Sequence, residues 1–161
     1  SSKVVPELIT ELGGKPVETR VGHSFIKQTM KDTGAIFAGE LSGHYYFRDF
    51  YGADSGLYAF ILLCNVISTE SCLSGMVTPL LKYHHSGEIN FKAQAEAVFA
   101  KLEALGGTVE KLDGITVRFD DWWCNVRASN TEPVVRLNLE ADSAELMQEK
   151  LHEMERLITS A

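Results

Sequence analysis

Cysteine is scarce in this chain, and what there is follows no ligand pattern. Cys64, Cys72 and Cys124 are the 3 cysteines among 161 residues, and no two stand at C-x-x-C spacing. Cys64 falls in an apolar run and Cys124 in a strand-like stretch, so they read as buried free thiols rather than metal ligands. A reducing, cytoplasmic setting fits that usage. His84-His85 is a possible metal pair, but no third ligand stands nearby, so the two read as linker residues and no metal site is expected.

A run long enough to span a bilayer is also missing. The longest apolar stretch, Leu57 to Leu63 extending to Ile67, falls short of the roughly 20 residues required, and no signal-peptide pattern opens the chain. No membrane partner is expected. Positive charge is in deficit: 15 Lys and Arg against 22 Asp and Glu give a formal net charge of −7. With no basic stripe either, a nucleic-acid surface is excluded. Any anion site must rest on local positive charge, as at Arg127. Internal repeats and low-complexity tracts are absent. No methionine stands at position 1, which reads as part of a longer protein.

What is present is ordinary globular composition, 45% hydrophobic and 23% charged, in a length that suits one large domain or two small ones. Val4, Val5, Leu8, Ile9 and Leu12 have helical spacing up to Gly13-Gly14. Pro16 to Arg20 reads as a short strand and His23 to Thr33 as a helix closed by Gly34. Ala35 to Glu40 and Tyr45 to Phe47 read as strands. Asp54 or Ser55 caps a helix through about Ser68 that is apolar nearly all round, which predicts burial. Gly75 to Tyr83 gives one more short helix. Alternating helices and strands of this kind indicate an α/β layer.

The pattern changes at His84-His85-Ser86-Gly87, read as a linker. Beyond it come a strand at Glu88 to Phe91, a helix burying Val98, Phe99 and Leu102, and strands near 108–111, 115–119, 122–128 and 134–141. Alternation of Ile115, Val117 and Phe119 with Thr116 and Arg118, and of Val135, Leu137 and Leu139 with Arg136, Asn138 and Glu140, predicts an antiparallel sheet covered on one side. A last helix is capped by Asp142, with Glu145 three residues on, and buries Met147, Leu151, Met154 and Ile158. Two domains follow, 1–85 and 86–161.

Two short stretches carry the chemistry. Gly39-Glu40-Leu41-Ser42-Gly43-His44 sets a carboxylate, a hydroxyl and an imidazole at every second position. In an extended segment the three side chains share a face, and together they suit the adjacent hydroxyls of a sugar. Arg127-Ala128-Ser129-Asn130-Thr131-Glu132-Pro133 follows a strand and offers a guanidinium, two hydroxyls and an amide. Arginine matches phosphate bidentately, and Arg136 on the next strand can add a second charge. A sugar loop and a phosphate loop together mean a sugar phosphate.

With both loops in view, the chain resembles the α-D-phosphohexomutases, and most closely their phosphomannomutase/phosphoglucomutase branch. The matching pieces are Gly22-His23-Ser24-Phe25-Ile26-Lys27, the Gly39–His44 stretch, Ser86-Gly87-Glu88-Ile89-Asn90-Phe91 and the Arg127–Pro133 stretch, in family order. Leu41 stands where the family usually has Met. The branches acting on glucosamine phosphate carry Gln two residues before the Ser, so Glu40 favours unmodified hexoses.

The resemblance implies a C-terminal fragment, the last two of four domains. Residues 1–85 would be a three-layer α/β domain 3 without its first strand. Residues 86–161 would be domain 4, an α+β domain with an antiparallel sheet like the TATA-binding-protein half. It further implies a phosphoserine on domain 1 and a Mg²⁺ site on domain 2, both outside this chain, so domains 1 and 2 are its partners and no cofactor is bound here. A substrate-contacting lysine would fall just before Ser1. The reaction implied interconverts hexose 1-phosphate and hexose 6-phosphate through a hexose 1,6-bisphosphate that turns over in the cleft. Gly22, His23, Glu40, Ser42, Gly43 and His44 would contact the sugar, with His23 a candidate proton shuttle. Arg127, Ser129, Asn130, Thr131 and Arg136 would hold the non-reacting phosphate. Alone, the chain is expected to be inactive. Two other readings stay open: a stand-alone sugar-phosphate-binding module without catalysis, and an interaction fragment with vestigial loops.

Overall fold

A glycine pins each end of the helix on which the first half of the chain is built. In the computed structural model, which describes residues 1–69, 72–129 and 133–161, contacts divide the chain into two units, Lys3–Leu81 and Lys82–Ala161. In the first unit, helix α1 (Val4–Glu11) precedes α2 (His23–Thr33). Gly22 starts α2 at φ 126°, and Gly34 ends it in the left-handed conformation at φ 70°, where a residue without Cβ is unstrained. Ile26 and Met30, one turn apart, bury against Tyr46, with Ala35 and Ala38 packed alongside. Three short antiparallel strands follow, β1 (Phe37–Gly39), β2 (Tyr45–Phe47) and β3 (Ala53–Asp54), in that order across the sheet. Helix α3 (Gly56–Thr69) begins where the Ser55 hydroxyl accepts the Tyr58 N–H at 3.1 Å. The short α4 (Leu73–Val77) runs into a tight 3-10 turn at Thr78–Leu80.

Several expectations fail in this unit. Pro16 to Arg20 is irregular rather than a strand. The helix expected at Gly75 to Tyr83 is shorter and starts earlier, because Pro79 sits in the 3-10 turn. Helix α3 buries none of its residues. Leu57, Phe60, Ile61 and Val66 are exposed, as is Cys64, so that thiol is not buried. Three strands of two or three residues each cannot enclose a helix that is apolar on every side. Among the described residues no single helix is long and apolar enough to cross a membrane, and the α3 and Leu73–Leu80 pair is bent by 99°.

The second unit follows its hydrophobic pattern closely. Strand β4 (His84–Phe91), helix α5 (Ala95–Glu103), strands β5 (Thr108–Glu110), β6 (Ile115–Arg118), β7 (Trp122–Ala128) and β8 (Val135–Ala141), and helix α6 (Ala144–Thr159) appear in that order. The sheet is antiparallel throughout, ordered β4-β8-β7-β6-β5. Val117, Cys124, Val126, Leu137 and Leu139 from its apolar face pack with Val98 and Leu102 of α5 and Met154 and Ile158 of α6. The expected linker, His84 to Gly87, is instead the first half of β4, with a bulge between His85 and Glu88. Ser143, not Asp142, caps α6, its hydroxyl accepting the Leu146 N–H at 3.1 Å. The opposite face is not uniformly wet either, for Glu140 is buried there and accepts the Trp123 indole N–H at 3.0 Å.

Candidate functional site

In the first unit the Gly39–His44 stretch is a hairpin turn and not an extended strand. The Gly43 N–H donates to the Glu40 carbonyl at 3.0 Å, and the Glu40 N–H to the His44 carbonyl at 2.9 Å. Gly43, at φ 83°, supplies the left-handed residue that a tight three-residue hairpin needs. Simple alternation therefore does not bring the side chains together; the hairpin does. Gly39 pairs with Tyr45 and Ala38 with Tyr46, so Glu40 and His44 are the next pair inward and share a face with Tyr46. Tyr46 in turn pairs with Asp54 on β3. One face thus presents Glu40, His44, Tyr46 and Asp54.

Helix α2 brings His23 to that face from its first residue. The imidazoles of His23 and His44 meet edge to face at 5.1 Å, and His23 and Tyr46 do so at 5.5 Å. His23 Nδ1 lies 3.0 Å from the Tyr46 hydroxyl and 3.6 Å from Asp54 Oδ1. Tyr46 donates its hydroxyl proton to Glu40 Oε1. Ser42 Oγ lies 2.9 Å from His44 Nδ1. Gly22 contributes backbone, its carbonyl accepting the Ile26 N–H at 3.1 Å. The Tyr46 ring is fully buried while Ser42 and His23 are exposed, so a packed tyrosine anchors groups that meet solvent. Burial, then the bond to Glu40 and the negative charges of Glu40 and Asp54, push the Tyr46 phenol well above its ordinary pKa and keep it protonated. A carboxylate, two imidazoles and two hydroxyls can donate to and accept from sugar hydroxyls. A hollow of about 470 Å³ lies elsewhere on this unit, lined by Lys27, Lys31, Arg48 and Tyr51 among others, and none of these grouped side chains lines it.

In the second unit the basic groups are adjacent. Arg127 on β7 is the ladder partner of Arg136 on β8. Glu88 on β4 binds both: Arg127 Nη2 donates to Oε2 at 2.8 Å and Arg136 Nη1 to Oε1 at 3.2 Å. Arg136 therefore pairs with Glu88. Its Nε is buried with no hydrogen-bond partner among the described residues. The Ser129 N–H donates to the Val134 carbonyl at 2.9 Å, closing the end of the hairpin. Asn130 and Thr131 lie outside the described residues. Two guanidiniums against one carboxylate leave local positive charge, which suits an anion. Among the described residues no three His, Cys, Asp or Glu side chains gather as metal ligands.

Tyr46, Asp54 and Glu88 were missed in the sequence. Extending the 40, 42, 44 alternation by one step reaches Tyr46. Glu88 needed the pairing of β4 with β8, which no local pattern encodes.

Comparison with known proteins gives a consistent result for both units. The family description "Phosphoglucomutase/phosphomannomutase, alpha/beta/alpha domain III" matches residues 1–83, and "Phosphoglucomutase/phosphomannomutase, C-terminal domain" matches residues 88–157. A phosphomannomutase of Methanocaldococcus jannaschii is 42% identical over 98% of this chain and 36% of its own length. One from Escherichia coli is 40% identical over 94% of this chain and 35% of its own. A crystal structure of a phosphoglucomutase/phosphomannomutase family protein from Burkholderia thailandensis superposes with a TM-score of 0.84 at 30% identity, covering 98% of this chain and 35% of that one. The chain thus spans about a third of the length of these relatives.

Proposed function

The chain belongs to the phosphoglucomutase/phosphomannomutase family, corresponding to its domain III and its C-terminal domain, and from that premise we propose that it supplies the sugar grip and the phosphate clamp of an enzyme interconverting hexose 1-phosphate and hexose 6-phosphate. The observation that carries this reading is the convergence of Glu40, His44 and His23 around Tyr46 on one face of the first unit. Glu40 accepts hydrogen bonds from two neighbouring sugar hydroxyls, and Ser42 and His44 complete the grip. The guanidinium of Arg127, with Arg136 and Ser129 beside it, holds the phosphate that is not reacting. Asn130 and Thr131 join that clamp.

A phosphoserine on another domain of the same enzyme gives its phosphoryl group to the hexose phosphate and recovers one from the resulting hexose 1,6-bisphosphate. The intermediate must bind in two opposite orientations between these transfers. A clamp that reads only phosphate, and a grip that reads only the C3 and C4 hydroxyls, serve both poses. The C2 configuration then goes unread, so glucose and mannose phosphates are both substrates. His23 moves a proton to or from the reacting hydroxyl. Mg²⁺ would neutralise phosphate charge from a site on another domain; the described residues of this chain hold no ligand set for it, and no step here runs through it.

Alone, the chain is inactive, because the phosphoserine is not among its residues. Its partners are the hexose phosphate and the other domains of the enzyme, not nucleic acid or a membrane, and its setting is the cytoplasm. Isothermal titration with glucose 1-phosphate and mannose 1-phosphate tests the reading. Weak, saturable binding of both sugars, competed by inorganic phosphate and accompanied by no conversion, is expected. Absence of binding to either sugar overturns it, and tight binding would favour a stand-alone sugar-phosphate module.

A further inference from the structure

We infer that Tyr46 is a positioning residue that fixes His23 in the tautomer carrying its proton on Nδ1, leaving Nε2 as the free acceptor. A phenol hydroxyl has one proton to give, and an ionised carboxylate has none. Tyr46 gives its proton to Glu40. The 3.0 Å contact between the Tyr46 oxygen and His23 Nδ1 must then draw its proton from the ring. Asp54 Oδ1, 3.6 Å from the same nitrogen, favours the same placement. The upward push on the phenol's pKa keeps Tyr46 from becoming an anion, so the donor order is maintained.

His23 sits at the start of α2 with its side chain about half exposed, while Nδ1 is engaged within the protein. Nε2 is the ring atom left with a lone pair in the neutral form. If the functional reading above holds, Nε2 is the atom that accepts a sugar hydroxyl proton. Tyr46 also joins that base to Glu40, so the grip on the sugar and the proton acceptor share one hydrogen-bonded chain. The Tyr46 hydroxyl hydrogen-bonds to both groups.

The test uses the chain as it is, labelled with ¹⁵N, and long-range ¹H–¹⁵N correlation of the histidine rings at a pH above the ordinary histidine range. His23→Gln assigns the signals. In the wild type, His23 is expected as the single Nδ1–H tautomer. In Tyr46→Phe, which keeps the buried ring and removes only the hydroxyl, the two nitrogen signals should move toward a common averaged position. A wild-type spectrum showing the Nε2–H tautomer overturns the inference without any variant. So does a Tyr46→Phe spectrum unchanged from wild type, and so does a tautomer lost in Asp54→Asn but kept in Tyr46→Phe. The measurement needs no ligand, so failure to bind hexose phosphate would remove the functional reading and leave this result intact.

Discussion

Arg127 stands directly across from Arg136 in the β7–β8 ladder, two like charges on neighbouring strands. Such a pair is unfavourable on its own. Glu88 relieves it by giving one carboxylate oxygen to each guanidinium. Two more oxygens from a phosphate would extend the same pattern.

Substitution Arg127→Ala should weaken binding of hexose phosphate at least tenfold. Charge-assisted hydrogen bonds contribute about 1.5–3 kcal/mol, and about 1.4 kcal/mol is one decade of affinity. Calorimetric titration of the chain, or KM in an enzyme that carries it, reads the effect. An unchanged constant would remove Arg127 from the clamp.

Replacing Glu88 by Gln leaves the two guanidiniums facing each other with no charge between them. Thermal stability should fall by an amount on the order of 1 kcal/mol at low salt. Added phosphate should recover most of it, and salt part of it. Melting curves with and without phosphate decide the matter; a variant as stable as wild type at low salt would contradict it.

Burial pushes the Cys124 thiol from its ordinary 9.0 up to about 12. An acid whose pKa is raised by folding stays protonated in the native state while the unfolded chain ionises. Stability is therefore retained below pH 9 and declines as pH rises from there toward 12. Urea midpoints should drop across that window in the wild type and drop less in Cys124→Ala. Equal drops in both would show that other groups govern the alkaline limb. In the folded chain, the exposed Cys64 and Cys72 should react with a thiol reagent well before Cys124.

Helix α3 presents Leu57 and Phe60 to solvent at 72% and 62% exposure. An apolar surface of that kind promotes association. The chain alone should sediment as oligomers and bind a hydrophobic dye. The pair of changes Leu57→Glu and Phe60→Lys should reduce both without lowering the melting point of the second unit. Monodisperse wild-type chain with no dye binding would contradict this expectation.

Much of the second unit was legible because its strands alternate strictly: Ile115 and Val117, or Leu137 and Leu139, leave only one way to face a core. The first unit was harder to read. Its longest helix is apolar on every side, so its pattern announces burial that this chain alone does not provide. The Gly39–His44 stretch stands out by residue type and spacing, yet the geometry that unites Glu40 with His44 comes from a turn at Gly43. Tyr46 looked like an ordinary strand aromatic; its role depends on His23, which lies on a separate helix. Capping was off by one, since Asp142 and Ser143 are both good caps and only the backbone path selects between them.

The irregularity in β4 decides which way an acid points. His85 stands opposite Glu140, and Glu88 opposite Asn138: three steps along one strand against two along the other. Had the two strands kept pace, Glu88 would have met Leu137 and aimed its charge at the hydrocarbon interior. One surplus residue, accommodated where Gly87 takes φ 70° and the Ser86 hydroxyl accepts the Leu139 N–H, shifts the pleat by half a period and delivers that carboxylate to the two arginines. A slip of β4 that ironed out the bulge without losing a residue would thus turn the acid inward and unlock both guanidiniums at a stroke, a phase error rather than a lost contact, whereas deleting Ser86 or Gly87 would leave Glu88 opposite Asn138.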